Sequence, residues 1–112
     1  MTSTTLLSVL LPCRDAAATL DEALESLVAQ TFRAFEIIAV DDGSTDGTAA
    51  LLEKWATRDP RIRTIFTPPR GIVSALNAAA AQARGTLLAR MDADDIAAPL
   101  RLERQKIGRA HV

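Results

Sequence analysis

Phe35-Glu36-Ile37-Ile38-Ala39-Val40 runs directly into Asp41-Asp42-Gly43-Ser44-Thr45-Asp46-Gly47. Apart from Glu36, the first six residues are apolar, with the β-branched content of a buried strand, and the seven that follow are turn and cap formers. A buried strand that stops on two carboxylates and hands over to a helix start is the βα step of an α/β sheet. In open parallel sheets ligands sit outside the carboxyl ends of the strands, which makes Asp41 and Asp42 candidate binding residues.

A second acidic strand end follows. The apolar segment Thr86 to Met91 runs out at Asp92-Ala93-Asp94-Asp95, with Arg90 just before it. Like charges packed this closely repel and raise one another's pKa unless a cation or hydrogen bonds offset them. Oxygen-rich clusters suit Mg²⁺ or Mn²⁺, which take one or two carboxylates and leave their other positions to water and phosphate oxygens. Alone, an Asp-x-Asp triplet reads as solvated loop acids. Two acidic strand ends on one sheet can instead converge on one crevice.

The remaining sequence keeps the same rhythm. Leu6 to Pro12 reads as the first strand, and Thr19 with Glu22 has capping-box spacing ahead of Leu20, Ala23, Leu24, Leu27 and Val28. After Phe35 to Val40, a helix is expected from near Asp46 to the Asp59-Pro60 stop, burying Leu51, Leu52 and Trp55. Arg61 to Phe66 alternates as a third strand. Pro68-Pro69-Arg70-Gly71 is a rigid turn into a third helix, whose Ile72, Leu76, Ala79, Ala80 and Ala83 form a narrow small-residue face. Gly85 is expected as that helix's C′ residue. Short alternating connections favour right-handed crossovers and a parallel sheet.

Composition allows one such domain. The 112 residues are 48% hydrophobic and 24% charged, with net charge -1, so no global attraction to nucleic acid is expected. The single cysteine, Cys13, rules out an internal disulfide and fits a reducing, cytoplasmic setting as a small buried residue. The start of the chain lacks the basic residue and long apolar run of a secretory signal, and no segment approaches the roughly 20 apolar residues that span a bilayer.

Taken together, Leu10-Leu11-Pro12, Gln30-Thr31-Phe32, Asp41-Asp42-Gly43-Ser44-Thr45-Asp46-Gly47-Thr48, Gly71 with Ala75-Leu76-Asn77, Gly85 and Met91-Asp92-Ala93-Asp94-Asp95 resemble, in order, family 2 glycosyltransferases. These are inverting enzymes of the GT-A fold. The resemblance implies a three-layer, Rossmann-like α/β fold with a parallel sheet of order 3-2-1-4 and flanking helices, incomplete at the C-terminus. It implies a nucleotide-diphosphate sugar donor, a UDP-sugar by expectation, and a divalent cation, Mg²⁺ or Mn²⁺, as cofactor. A cytoplasmic enzyme, peripheral at the inner face of the membrane in the full-length protein, is the expected setting.

Residue by residue, Pro12, Arg14 and Asp15 match the loop lining the nucleotide base, where family members often carry an aromatic residue and an Asn. Asp41 matches the carboxylate that accepts hydrogen bonds from the base, with Asp42 as its close alternative. Asp92 matches the first acid of the metal motif, near ribose or metal, and Asp94 the acid that ligates the cation. Asp95 orients the other two, and Arg90 is their ion-pair partner. Arg70 is either a solvated loop charge or a phosphate ligand, and Asn77 is either a helix-packing polar residue or a loop anchor. The family's catalytic base lies on a later segment, so none is assigned here and the chain alone is expected to be inactive.

Other classes lack their signatures. Pro12 to Ala17 has no glycine for a dinucleotide-binding loop, and no phosphate-binding G-x-x-x-x-G-K-[ST] loop occurs. A sugar-nucleotide-forming nucleotidyltransferase needs a glycine- and basic-rich first loop, and a phosphoacceptor receiver a later strand-end lysine. Residues 1–105 therefore read as the donor-binding part of the domain. Lys106 to Val112 reads as a non-native tail, one back-translation of which resembles a sequencing-adapter read.

Overall fold

The computed structural model describes residues 5–102. The expected tail from Lys106, with His111, lies outside the described residues, as do Arg104 and Gln105. Strands β1 (Leu7–Cys13), β2 (Phe35–Asp42), β3 (Ile62–Thr67) and β4 (Leu87–Arg90) alternate with helices α1 (Leu20–Val28), α2 (Thr48–Arg58) and α3 (Ile72–Ala81). All strand pairs are parallel and the order is β3-β2-β1-β4, as expected. No described helix is long and apolar enough to cross a membrane.

Side chains alternate across a strand, so each strand serves two layers. Leu7, Val9, Leu11, Ile37 and Ala39 pack with Leu20, Leu24, Leu27, Leu52 and Trp55 of α1 and α2. Leu10, Ile38 and Val40 face the other way, onto Ala75 and Ala79 of α3. The stripe that α3 buries is therefore Ala75 and Ala79, while Ile72 is 49% exposed. Small residues on that stripe let the helix approach the sheet closely. Trp55 Nε1 donates to Asp21 Oδ1 at 2.8 Å, tying α2 to α1.

Two local expectations give way to long-range contacts. Thr19 makes no capping bond to α1; its hydroxyl donates to the Ala93 carbonyl at 3.0 Å. Helix α3 ends at Ala81, and Gly85 is not its C′ residue. A Cβ on Gly85 would lie 2.9 Å from Leu6 O, Leu7 C and Ser8 N, so the glycine lets the chain pass close to β1.

The amino-terminal end of the sheet is held by Glu36, a buried carboxylate on the α3 face. It accepts from Ser8 Oγ at 2.6 Å, from the Arg84 N–H at 2.7 Å and from Arg63 Nη2 at 2.9 Å. The Gly85 N–H donates to Ser8 Oγ, and Arg63 also donates to the Gln82 carbonyl. Burial raises the Glu36 pKa, but the bonds from Ser8, Arg84 and Arg63 outweigh it, and the group lies below its ordinary value of 4.5. A depressed carboxylate stabilises the fold above its unfolded pKa, and that contribution is lost as pH falls through the folded one. Glu36→Gln is expected to be less stable at neutral pH, with the gap to wild type closing below about pH 4.5. Denaturant melts across pH check this, and a pH-independent gap contradicts it.

Candidate functional site

Because β1 lies between β2 and β4, its carboxyl end is flanked by both acidic strand ends. After β4 the chain makes a turn, with the Asp95 N–H donating to the Asp92 carbonyl at 3.0 Å. Carboxylate oxygens of Asp92, Asp94 and Asp95 all lie within 4.8 Å of one another, a spacing that allows them to hold one cation. Asp95 is expected from the sequence only to orient the other two acids. It does accept from the Asp92 N–H, at 3.3 Å, but its carboxylate also belongs to the cluster. Arg90 donates through Nε and Nη2 to Asp92 Oδ1 at 3.2 and 3.1 Å, the expected ion pair.

This turn is braced from α1. Thr19 holds the Ala93 carbonyl from one side. Behind it, the buried Gln30 amide donates to the Ala98 carbonyl at 2.7 Å and accepts from the Leu102 N–H at 3.0 Å, while Ser26 Oγ accepts from the Ala97 N–H. These contacts fix residues 93–102 against α1 and supply a physical role for the Gln30-Thr31-Phe32 segment.

Asp41 and Asp42 diverge, as consecutive strand residues must. Asp42 faces α3 and accepts from the Arg70 N–H at 2.7 Å and the Gly71 N–H at 3.0 Å. Arg70 thus meets this end of the sheet through its backbone. Asp41 Oδ1 accepts from the Ser44 N–H at 3.2 Å, and its residue is 5% exposed. Asp46 takes the helix-start role, accepting from the Thr48 N–H at 2.9 Å. Burial, and then the Asp41 charge, push the Cys13 thiol up to about 12, which makes it an inert packing residue.

A cavity of about 450 Å³ over the end of β1 is lined by Pro12, Arg14, Asp15, Thr19, Asp92 and Asp94 among others. A second, of about 270 Å³, is lined by Pro12, Cys13, Arg14, Asp42, Gly71, Ile72 and Ala75. Pro12, Arg14 and Ile72 border both. The structure therefore brings Pro12, Arg14, Asp15, Asp92 and Asp94 to one space and Asp42 to its neighbour. Asp41 and Arg70 line neither of the two. Sequence reasoning missed Thr19 and Gln30 as supports of the acidic turn, because their partners lie 74 and 68 residues away.

The family profile for glycosyl transferase family 2 matches residues 8–106. An uncharacterized glycosyltransferase of Haemophilus influenzae is 39% identical over 100 residues, 88% of this chain and 31% of that protein. The chondroitin synthase of Pasteurella multocida is 34% identical over 94 residues, 84% of this chain and 10% of the synthase. Among solved structures, S. aureus TarS 1-349 in complex with UDP superposes with a TM-score of 0.86 at 27% identity, covering 96% of this chain and 32% of TarS 1-349. The mannosyltransferase PcManGT from Pyrobaculum calidifontis, in complex with GDP-Man and Mn²⁺, gives 0.81 at 30% identity, covering 90% of this chain and 31% of that one. The chain thus spans about a third or less of the length of these relatives.

Proposed function

The chain belongs to glycosyl transferase family 2, and on that footing we propose that the carboxyl edge of β1 and β4 binds a nucleotide-diphosphate sugar, a UDP-sugar, for inverting transfer to an acceptor hydroxyl. The observation that carries this reading is the cluster of three carboxylates within 4.8 Å, two of which line the larger cavity beside Arg14. Relatives of the same fold that bind UDP, or GDP-Man with Mn²⁺, support it.

The donor set fits a hard divalent cation, because the oxygens come from a turn whose remaining side is open to water and phosphate. Asp94 and Asp92 would hold the ion, with Asp95 as a third oxygen donor. Bound there, a divalent cation acts as a Lewis acid toward the charge that develops on the departing diphosphate. Arg90 offsets part of the repulsion among the acids. Pro12 and Arg14 form the nucleotide wall, with Asp15 shaping the loop that carries Arg14 and with Asp42 and Gly71 bordering the adjoining space. We place the base that takes the acceptor proton, and the acceptor wall, outside residues 8–106, the stretch that the family profile matches. The 112-residue chain is therefore proposed to bind donor without transferring sugar, and the cytoplasm is its proposed setting.

Titration of the 112-residue chain with UDP and with GDP, in Mn²⁺ and in EDTA, tests this. Binding is expected only with the metal and more tightly for UDP. Equal binding in EDTA contradicts the metal-assisted reading.

A further inference from the structure

Asp15, in the loop after β1, has φ 49°, the only positive φ of a non-glycine residue among the described residues. Of the L-residues, Asp and Asn tolerate this conformation best. The conformation is held by reciprocal bonds to the loop after β2. The Asp15 N–H donates to Ser44 Oγ at 2.9 Å, and the Thr45 N–H donates to Asp15 Oδ1 at 2.7 Å, with Thr45 Oγ1 at 3.3 Å. The next two residues continue the seam, Ala16 N–H to Thr48 Oγ1 at 2.9 Å and Ala17 N–H to Asp46 Oδ2 at 3.1 Å.

Arg14, immediately before the turn, borders both cavities. Its guanidinium lies 3.8 Å from Asp15 and 3.9 Å from Asp42, too far for a hydrogen bond to either. The Arg14 backbone leads directly into the left-handed turn at Asp15 and the seam beside it. Asp15 Oδ1 is already committed to Thr45.

Resting on the donor-binding reading above, we propose that Asp15 is a positioning residue: its turn and its bond to Thr45 set Arg14 between the two cavities, and nucleotide affinity depends on that shape and not on the Asp15 charge. Asn keeps both the turn and the acceptor, Gly keeps only the turn, and Ala keeps neither.

The test is calorimetric titration of UDP in Mn²⁺ with wild type, Asp15→Asn, Asp15→Gly and Asp15→Ala, alongside amide exchange at Thr45. Asn is expected within about twofold of wild-type affinity, Ala roughly tenfold weaker and Gly between them, as for loss of one hydrogen bond and its geometry. The Thr45 amide should lose protection in Gly and Ala and keep it in Asn. If Ala fails to fold, the Asn and Gly pair decides. Asn binding as weakly as Gly, with Thr45 still protected, overturns the inference, since the carboxylate charge itself would then serve the ligand. A wild-type chain that binds no UDP in Mn²⁺ removes the donor reading, and this inference with it.

Discussion

Asp94→Ala is expected to abolish measurable Mn²⁺-dependent UDP binding. Loss of an outer-shell partner alone costs a metal site about 10–100-fold in affinity, and loss of a ligand should cost at least that. Asp94 is exposed, and no described backbone or side-chain group donates to its carboxylate, so nothing structural is forfeited when it is removed. That separates it from Asp92, which is tied to Arg90. Calorimetry and thermal unfolding on the same sample check the expectation: affinity should fall while the melting temperature in EDTA stays within about 2 °C of wild type, as for an exposed substitution. Unchanged Mn²⁺-dependent binding contradicts the assignment of the ion to this turn.

Gly43→Ala is expected to be the most destabilising single change near the site. Gly43 has φ +68, and a Cβ there would stand 2.4 Å from Pro69 Cδ and 2.6 Å from Pro69 N. Neither a proline ring nor the backbone can yield by rotating, so the loop after β2 and the turn before α3 must part. That separation pulls on the Asp42 bonds to Arg70 and Gly71, whose loss costs about 1–3 kcal/mol per buried group, in addition to about 1–2 kcal/mol for the left-handed backbone. A total of about 2–5 kcal/mol is a large share of a small domain's stability, and the midpoint of thermal unfolding should drop by about 8 °C or more. Gly47→Ala is the control: the nearest atom to its Cβ is Ala17 Cβ at 4.0 Å, and the expected cost is under about 1 kcal/mol. Equal melting of the two variants contradicts this account of Gly43.

The sheet was legible because its strands are short apolar runs punctuated by turn formers. The acids were legible as strand-end groups, since Asp41 and Asp92 directly follow such runs. Their division of labour was harder to read. Asp41 and Asp42 look like one charged pair, yet the two-residue period of a strand sends them to opposite faces, and Asp42 is occupied by the turn before α3. Thr19 shows the limit of local patterns. Its spacing to Glu22 suits a capping box, but a hydroxyl near a folded turn takes the better partner that tertiary structure offers, here Ala93. Gly85 fits a helix C-cap by position, whereas its function depends on how closely β1 passes, which no nearby residue records. Asp15 gave a signal in its residue type, since Asp tolerates the left-handed turn, but its partner Thr45 becomes visible only once two loops are side by side.

The central proposal is that the carboxylates of the turn after β4 would hold one cation beside a nucleotide diphosphate at the end of β1. Crystals of the 112-residue chain soaked with UDP and Mn²⁺, measured for anomalous scattering from manganese, test it most directly. The expected result is a single manganese peak among the carboxylates of Asp92, Asp94 and Asp95, with the diphosphate in the cavity lined by Pro12 and Arg14. Manganese bound away from that turn, or UDP bound with no metal beside it, would contradict the account.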